Sequence, residues 1–392
     1  MKKALLFLSL LISSQLIYAQ ENVLSVQAEI SVLTIAPGNS LNDAFGHNAF
    51  RIKDRLRSID VIFDYGRFDF DTPNFYLKFA QGKLNYSIGN SPYSAFFEHY
   101  IAQNRTVEEQ VLNLNQEEKQ SLFDFLINNY KPENRHYLYD FFYDNCATRI
   151  KDVIEDSSHD NLMFTNPDDF QPKTFRRLIY EHVDKNSWGS FGIDVALGSV
   201  IDKMATSEEH MFLPKYIHYF FENASFIDSE KPLVKQSRVL YKKVEKPTKS
   251  SFITSPLMIF SLIGLIILFV TYKDYKKDEW SKWLDVILFV GTGLIGIIIL
   301  LLWFGTDHST TANNYNLLWA FPINLFVFGQ LLNPIVKKWF IKYLKFLVVM
   351  LALLTLHWLM GVQVFAIGLI PLLIAILVRY LFLIKYNSKK AS

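Results

Sequence analysis

Residues 284–304 read LDVILFVGTGLIGIIILLLWF, an apolar run in which Asp285 is the one charged side chain. An α-helix rises about 1.5 Å per residue, so a helix over this run could cross a hydrocarbon core roughly 30 Å thick. Further apolar runs lie in the same part of the chain, although the third and fourth are short for a span. We predict an all-α transmembrane bundle of five helices, at about 252–272, 284–304, 317–332, 346–360 and 364–384.

The positive charges between these runs predict how the bundle is oriented. The loops after the first and third predicted spans and the carboxyl-terminal tail are rich in lysine, whereas loops 305–316 and 361–363 contain neither lysine nor arginine. The positive-inside rule therefore places the basic loops in the cytoplasm and the amino-terminal half outside it. Lysines also occur at 242–249, but long exported domains cross a membrane largely regardless of charge.

The amino terminus has the features of a secretory signal peptide. Lys2 and Lys3 precede an apolar stretch over 4–12, and Ile17-Tyr18-Ala19 forms an acceptable cleavage site. We therefore predict a signal peptide at 1–19, an exported domain at 20–250 and a transmembrane domain at 251–392.

The exported domain combines predicted strands with predicted helices. Alternating and β-branched residues predict strands at 27–36, 45–52, 61–65, 83–88 and 234–243. Helical spacing predicts a helix over 116–129, preceded by the capping pair Asn115 and Glu118. A further helix is predicted to begin at Cys146. These elements indicate an α+β fold.

One glycine-rich stretch resembles a nucleotide-binding fingerprint but has another interpretation. Gly291, Gly293 and Gly296 have the dinucleotide-binding spacing, yet they lie inside a predicted span without a preceding strand. Small residues at such positions favour close helix packing.

Composition excludes several classes of function. The chain has 40 Lys and Arg against 38 Asp and Glu, so a net charge of +2 gives no basic surface for nucleic acid. Its single cysteine, Cys146, excludes an internal disulfide, a CxxC redox pair and a cysteine-rich zinc site. We expect no metal and no cofactor.

Cys146 and His47 are the residues most suited to covalent chemistry. His47 follows Gly46 in a predicted strand, and Cys146 stands at a predicted helix start, where the helix dipole lowers the pKa of a thiol. A thiolate at a helix amino terminus facing an imidazole on a strand is the papain-like arrangement for acyl transfer. A buried structural cysteine and a hydrogen-bonded strand histidine would fit the same spacing.

A histidine followed later by Asn-Cys resembles the circularly permuted NlpC/P60 arrangement, including lecithin:retinol acyltransferase-like enzymes. More closely, the whole chain resembles the Lnb family of bacterial lipoprotein N-acyltransferases. The resembling segments are APG (36–38), FGHNAFR (45–51), DYGRFDF (64–70), NFYLKF (74–79), DNC (144–146), LGS (197–199) and MFLP (211–214).

The resemblance implies a periplasmic, permuted papain-like thiol domain anchored in the bacterial inner membrane. It implies that Cys146 is the nucleophile and His47 the base, and that an acyl chain moves from a phospholipid to the terminal amine of a diacylated lipoprotein. Asp64 is predicted to orient the imidazole, although Tyr65 could equally supply that contact. Asn145 and the backbone N–H of Cys146 are possible oxyanion donors.

The lysine-free loop 305–316 is dense in hydrogen-bonding groups and resembles the Asp-His loop of that family. Asp307, His308 and Asn316 are therefore predicted to bind a phospholipid headgroup or the acceptor. An ordinary polar connector would have the same composition, and two ligands alone are a weak metal signal.

Two other functions remain compatible with the sequence. The same Cys/His pair would serve a membrane-tethered NlpC/P60-like amidase that cuts cell-wall peptides, although one anchor would suffice for it. A non-enzymatic, membrane-anchored binding module would instead need an exposed apolar surface.

Overall fold

The fold is described from a computed structural model of the chain. The structure describes residues 23–159, 161–245, 252–333 and 335–391. The predicted signal peptide lies outside the described residues, and so does the predicted boundary at 250/251. Both therefore remain predictions.

The amino-terminal domain is built on a seven-stranded antiparallel sheet in the order β6-β4-β3-β2-β1-β5-β9. Its strands are β1 Glu29–Ile35, β2 His47–Asp54, β3 Ile59–Arg67, β4 Asn85–Pro92, β5 Val107–Leu112, β6 His136–Leu138 and β9 Val234–Tyr241. A separate two-stranded sheet pairs β7 Leu162–Phe164 with β8 Ala224–Phe226. The predicted α+β class is thus confirmed, and each predicted strand is present with ends shifted by a few residues.

Strand β5 was not predicted from the sequence, because its charged residues interrupt the alternating apolar pattern that indicates a strand. Its sequence is VEEQVL, and Glu109 nevertheless lies buried in the sheet. Glu109 forms ion pairs with Arg51 at 3.1 Å and Arg238 at 2.7 Å. These arginines allow a carboxylate to occupy a buried position that composition alone assigns to the surface.

Eight α-helices of this domain are described. They are α1 Phe75–Gln81, α2 Tyr93–Ala102, α3 Gln116–Tyr130, α4 Cys146–Ser157, α5 Phe175–Tyr180, α6 Trp188–Ala196, α7 Ser207–His210 and α8 Pro214–Glu222. Helices α3, α4 and α8 cover one face of the sheet through the larger core, and α2 covers part of the other through Phe96. Helix α3 has the predicted capping box between Asn115 and Glu118. Helix α4 begins at Cys146 as predicted.

The carboxyl-terminal region contains, among its described residues, four helices long and apolar enough to cross a membrane. They are α9 Pro256–Lys277, α10 Lys282–Phe304, α13 Lys338–Leu359 and α14 Leu369–Ala391. Helix α13 begins eight residues before the predicted start at 346, so several lysines assigned to the loop belong to its first turns.

The third predicted span, 317–332, is interrupted and does not form one continuous helix. The segment forms a 3₁₀ turn at Tyr315–Leu318 and two short helices, α11 Asn324–Val327 and α12 Gly329–Leu332. Pro322 lies between the 3₁₀ turn and α11. It interrupts the helical hydrogen bonds there, because proline has no backbone N–H to donate.

This broken segment nevertheless runs antiparallel to α10 along its length. A Cβ on Gly296 would lie 2.1 Å from the Ala320 carbonyl oxygen, and one on Gly293 would lie 2.5 Å from the Leu325 nitrogen. Lys282, at the opposite end of α10, donates to the Asn333 carbonyl at 2.5 Å. Gly293 and Gly296 therefore allow close packing, as predicted, whereas a Cβ on Gly291 would meet nothing within 4 Å. The segment extends between the two ends of the bundle.

A buried ion cluster joins three of the long helices. Arg379 of α14 is fully buried and pairs with Asp274 of α9 and Asp285 of α10, each at 2.7 Å. Since an unpaired charge in such a position is very costly, the cluster fixes α14 against the α9–α10 pair.

Replacing Arg379 with methionine should lower the free energy of unfolding by about 3–5 kcal/mol, because two buried carboxylates lose their cation. The measurement is the thermal unfolding midpoint of the purified protein in detergent. Lys389→Met is the matched control. It removes a cation from the same helix as Arg379, but from an exposed pair with Asp278. That control should leave the unfolding midpoint close to that of the unmodified protein, because an exposed ion pair is screened by water. Equal midpoints for the two variants would contradict the role of the cluster.

Candidate active site

Cys146 is the first residue of α4, and the residue before it organises the turn. Asn145 is the N-cap: its side-chain oxygen accepts from the backbone N–H groups of Ala147 at 2.7 Å and Thr148 at 3.0 Å. Thr148 completes the capping box by accepting from the Asn145 N–H at 2.9 Å. The half-buried thiol therefore stands at a well-ordered helix amino terminus, where the partial positive charge favours a thiolate.

His47 begins β2, and its ring is oriented by a carboxylate on the neighbouring strand. His47 Nε2 lies 3.1 Å from Asp64 Oδ2, and Asp64 Oδ1 accepts from Arg67 Nε at 2.8 Å. The preceding Gly46 has φ of +86°, and a Cβ there would lie 2.6 Å from the Ile35 carbonyl oxygen. Only glycine allows the chain to enter β2 in this way.

The fold brings Cys146 and His47 together although they are far apart in sequence. The Cys146 thiol lies close enough to the His47 ring and to the backbone N–H of Asn48 for both groups to shift its pKa. Because Nε2 faces Asp64, Nδ1 is the ring nitrogen left for sulfur. This order of thiol, imidazole and carboxylate is the geometry of a thiol nucleophile with an oriented base.

Residue 66 of β3 is a glycine, and the absence of a side chain there lets the thiol approach the sheet. Gly66 lies in β3 with φ of +92°, where the register with β4 shifts between Asp64 and Arg67. A Cβ on Gly66 would lie 3.9 Å from both Cys146 Cβ and the Tyr139 ring. Cys146 and Tyr139 therefore lie close to each other beside this bare backbone position.

The electrostatics of the pair favour an ion pair over two neutral groups. Burial disfavours the imidazolium, but Tyr100, Cys146 and Asp64 outweigh it and raise the pKa of His47 well above its usual 6.5. Burial also disfavours the thiolate, yet the adjacent His47 and the Asn48 N–H lower the pKa of Cys146 below its ordinary value. The pKa of Asp64 is lowered because His47 and Arg67 outweigh its burial.

The remaining predicted residues of the site have other partners. Tyr65 donates to the Asn129 side chain at 2.7 Å, so the polar contact to the imidazole comes from Asp64. The Asn145 amide donates to the carbonyl oxygens of Phe141 at 2.7 Å and Phe212 at 2.8 Å. Both N–H groups of that amide are thus used within the fold, which favours a capping role over an oxyanion contact.

Three residues beside the site were not identified from the sequence. Arg67 contacts Asp64, Tyr100 of α2 lies against His47 with ring centroids 6.4 Å apart, and Tyr139 lies beside Gly66. The strand was predicted to end at residue 65, so the i,i+3 pairing of Asp64 with Arg67 was not anticipated. Tyr139 lies in a loop, and no local pattern links it to Cys146.

Residues 305–316, here called the docking loop, belong to the transmembrane domain and form hydrogen bonds to the amino-terminal domain. The Asn316 amide donates to the Asp194 carbonyl at 2.8 Å, and its oxygen accepts from Trp319 at 2.9 Å. Asn314 donates to the Val195 carbonyl at 2.8 Å. Asn316 is fully buried, so it supports the connector interpretation of this position.

Asp307 and His308 lie at the other end of the docking loop, against α1. The Asp307 backbone N–H donates to the Gln81 carbonyl at 2.9 Å, and His308 Nε2 lies 3.1 Å from the Phe79 carbonyl oxygen. The Asp307 carboxylate lies 3.8 Å from Lys83, with both side chains exposed. Among the described residues, no group of three or more His, Cys, Asp or Glu is placed to hold a metal ion.

Comparison with protein families gave two matches. A model described as the Lnb N-terminal periplasmic domain matches residues 18–181, and one described as the Lnb transmembrane domain matches residues 247–391. Among curated proteins and solved structures, no significant match was found. Together the two family models cover most of both domains described above.

The electrostatics predict how the thiol reacts at different pH values. Alkylation of Cys146 by iodoacetamide should have a midpoint below the usual thiol pKa of about 8.5, because His47 stabilises the thiolate. In His47→Ala the cation is lost while burial remains, so the midpoint should move above the usual value. Since the chain has one cysteine, the measurement reports on Cys146 alone.

The matched control for this measurement is His136→Ala, which removes an exposed histidine at the start of β6. Its midpoint should equal that of the unmodified protein. A midpoint unaffected by His47→Ala would show that the imidazole does not control the thiol.

Proposed function

The chain belongs to the Lnb family, with a periplasmic domain followed by a transmembrane domain, and from this premise we propose that it is a cysteine-dependent lipoprotein N-acyltransferase. In this proposal an acyl chain moves from a membrane phospholipid to the amino-terminal amine of a diacylated lipoprotein. The proposed location is the bacterial inner membrane. The observation that carries the proposal is the Cys146–His47–Asp64 array in a domain that is hydrogen-bonded to a membrane bundle.

The first step forms a thioester on Cys146. The thiolate attacks the carbonyl carbon of a phospholipid acyl ester, and the tetrahedral intermediate collapses with cleavage of the ester C–O bond. The leaving alkoxide takes the proton of the His47 imidazolium and departs as a lysophospholipid. Asp64 stabilises the charged imidazolium and, held by Arg67, keeps its ring directed at sulfur.

The second step transfers the acyl chain to nitrogen. The lipoprotein amine attacks the thioester carbonyl, His47 accepts the proton that the amine loses, and the C–S bond breaks to restore the thiolate. A thioester suits this step because it reacts readily with amines, and exclusion of water limits hydrolysis.

An oxyanion forms in both steps and needs a donor. The Asn145 side chain caps the N–H groups of Ala147 and Thr148 but not that of Cys146. We therefore assign the oxyanion contact to the Cys146 backbone N–H, at the positive end of α4.

Replacing Cys146 with serine should abolish N-acylation of a diacylated lipoprotein, measured by mass spectrometry of its amino-terminal peptide after incubation in phospholipid vesicles. His47→Ala should lower the rate by at least about 100-fold, since it removes the proton-transfer group. His136→Ala is again the matched control and should retain the full rate.

A second readout separates this reaction from cell-wall hydrolysis. With radiolabelled phospholipid and no acceptor, label should accumulate on Cys146 and be released by hydroxylamine, as expected for a thioester. Full acylation by Cys146→Ser would refute the proposal. Cleavage of cell-wall peptides without any acyl adduct would favour the amidase instead.

A further inference from the structure

The segment between β3 and β4 exposes a cluster of large apolar side chains close to the candidate site. We call Phe68, Phe70, Tyr76, Leu77 and Phe79 the aromatic lip. Tyr76 is 79% exposed, Phe70 66% and Leu77 58%. Contiguous exposed apolar side chains on a folded domain mark a contact surface for another molecule or for a membrane.

The aromatic lip is held in place by a buried ring beneath it. Phe75, the buried residue of α1, lies 4.8 Å from Phe70 and 5.8 Å from Phe68 between ring centroids. The same ring is stacked on Phe79 at 6.4 Å. The lip is therefore a packed unit whose outer side is unpartnered among the described residues.

Hydrogen bonds place this unit at one end of a membrane-spanning helix. The docking loop contacts the last residues of α1 through Asp307 and His308, as described above. Asp307 follows the end of α10 at Phe304 by three residues, a reach of at most about 11 Å. Trp303 and Phe304 stack at that end with centroids 4.8 Å apart. Aromatic residues are enriched where a span meets the membrane–water interface.

The charged side chains around the aromatic lip favour a shallow insertion into a membrane. Asp69 and Asp71 lie in the exposed turn before α1, and Lys78 and Lys83 flank its end. Charged groups remain at the level of the headgroups, whereas neighbouring aromatic rings enter the acyl boundary by about 5–10 Å. The chemistry therefore fits a lipid surface better than an aqueous peptide.

A row of rings connects the aromatic lip with the thiol. Phe68 lies 5.4 Å from Tyr86, and Tyr86 is stacked on Tyr139 at 4.4 Å. Tyr139 in turn lies beside Gly66, and so does Cys146. An apolar track thus leads from the exposed end of the lip to the sulfur.

We propose that the aromatic lip inserts into the periplasmic leaflet of the membrane, and that the acyl chain of the donor reaches Cys146 along Phe68, Tyr86 and Tyr139. Insertion depends only on the exposed rings and their position beside α10. The route for the acyl chain rests on the proposed function as well.

Insertion can be tested with site-directed spin labels, since the chain has a single cysteine. In the full chain carrying Cys146→Ser, a label is placed at Tyr76→Cys or, as the control, at Leu56→Cys. Leu56 is 63% exposed and lies in the turn between β2 and β3, at the opposite end of β2 from His47. Both proteins are reconstituted in phosphatidylethanolamine–phosphatidylglycerol vesicles.

The label at Tyr76 should be relaxed more strongly by oxygen than by a water-soluble nickel chelate, and the label at Leu56 should show the reverse. Equal, water-like accessibility at the two sites would overturn the insertion. This result does not depend on any acyl transfer.

The route is tested with Phe68→Ser, the outermost ring of the route, in the chain that retains Cys146. Formation of the radiolabelled acyl adduct should fall about tenfold or more, as expected for the loss of one large apolar contact. Iodoacetamide alkylation of Cys146 should be unchanged, which shows that the site is intact. Leu56→Ser is the matched control and should form the adduct at the full rate.

The outcomes separate the two proposals. An adduct formed at the full rate by the lip variant would overturn the route while leaving the acyltransferase assignment standing. If the variant lost alkylation as well, Phe68→Gln, which keeps more of the side-chain volume, replaces it in the same comparison. Absence of any adduct in the unmodified chain would refute the proposed function and the route, while the spin labels would still decide insertion.

Discussion

The position of the thiol relative to the bilayer depends on a polar joint between the docking loop and α6. Asn316 and Asn314 donate to the carbonyl oxygens of Asp194 and Val195, at the end of that helix. The Asp194 carboxylate in turn pairs with Arg176 at 2.8 Å, and Arg176 also binds Asp202 at 2.9 Å. Because Arg176 is buried with both carboxylates, the carbonyl groups that receive the docking loop are fixed on a rigid support.

Paired charges are used in two different ways in this molecule. Arg176 and Arg379 each neutralise two carboxylates, and these clusters hold helices together. At the candidate site the charges are arranged in series, from Arg67 through Asp64 and His47 to Cys146. A series of this kind leaves its last member, the thiolate, partly accessible. It can therefore react while the groups behind it remain paired.

Local patterns predicted the elements, and tertiary contacts determined what the patterns could not show. The capping pair at Asn115 and the helix start at Cys146 were predicted because each depends on a few adjacent residues. Strand β5 was missed because Glu109 is buried only by virtue of arginines on two other strands. Tyr139 was missed for the same reason, since its proximity to Cys146 arises from the fold around Gly66.

The interrupted segment beside α10 has a consequence for how the bundle is assembled. Backbone groups at the ends of its short helices cannot be satisfied by lipid. The buried Asn324 side chain likewise needs protein partners: it donates to Thr292 of α10 at 2.9 Å and accepts from Tyr343 of α13 at 2.6 Å. Such a segment is not stable in hydrocarbon by itself. Its contacts with α10 and α13 supply the missing partners, so we expect this segment to be inserted together with a neighbouring helix and not as an independent span.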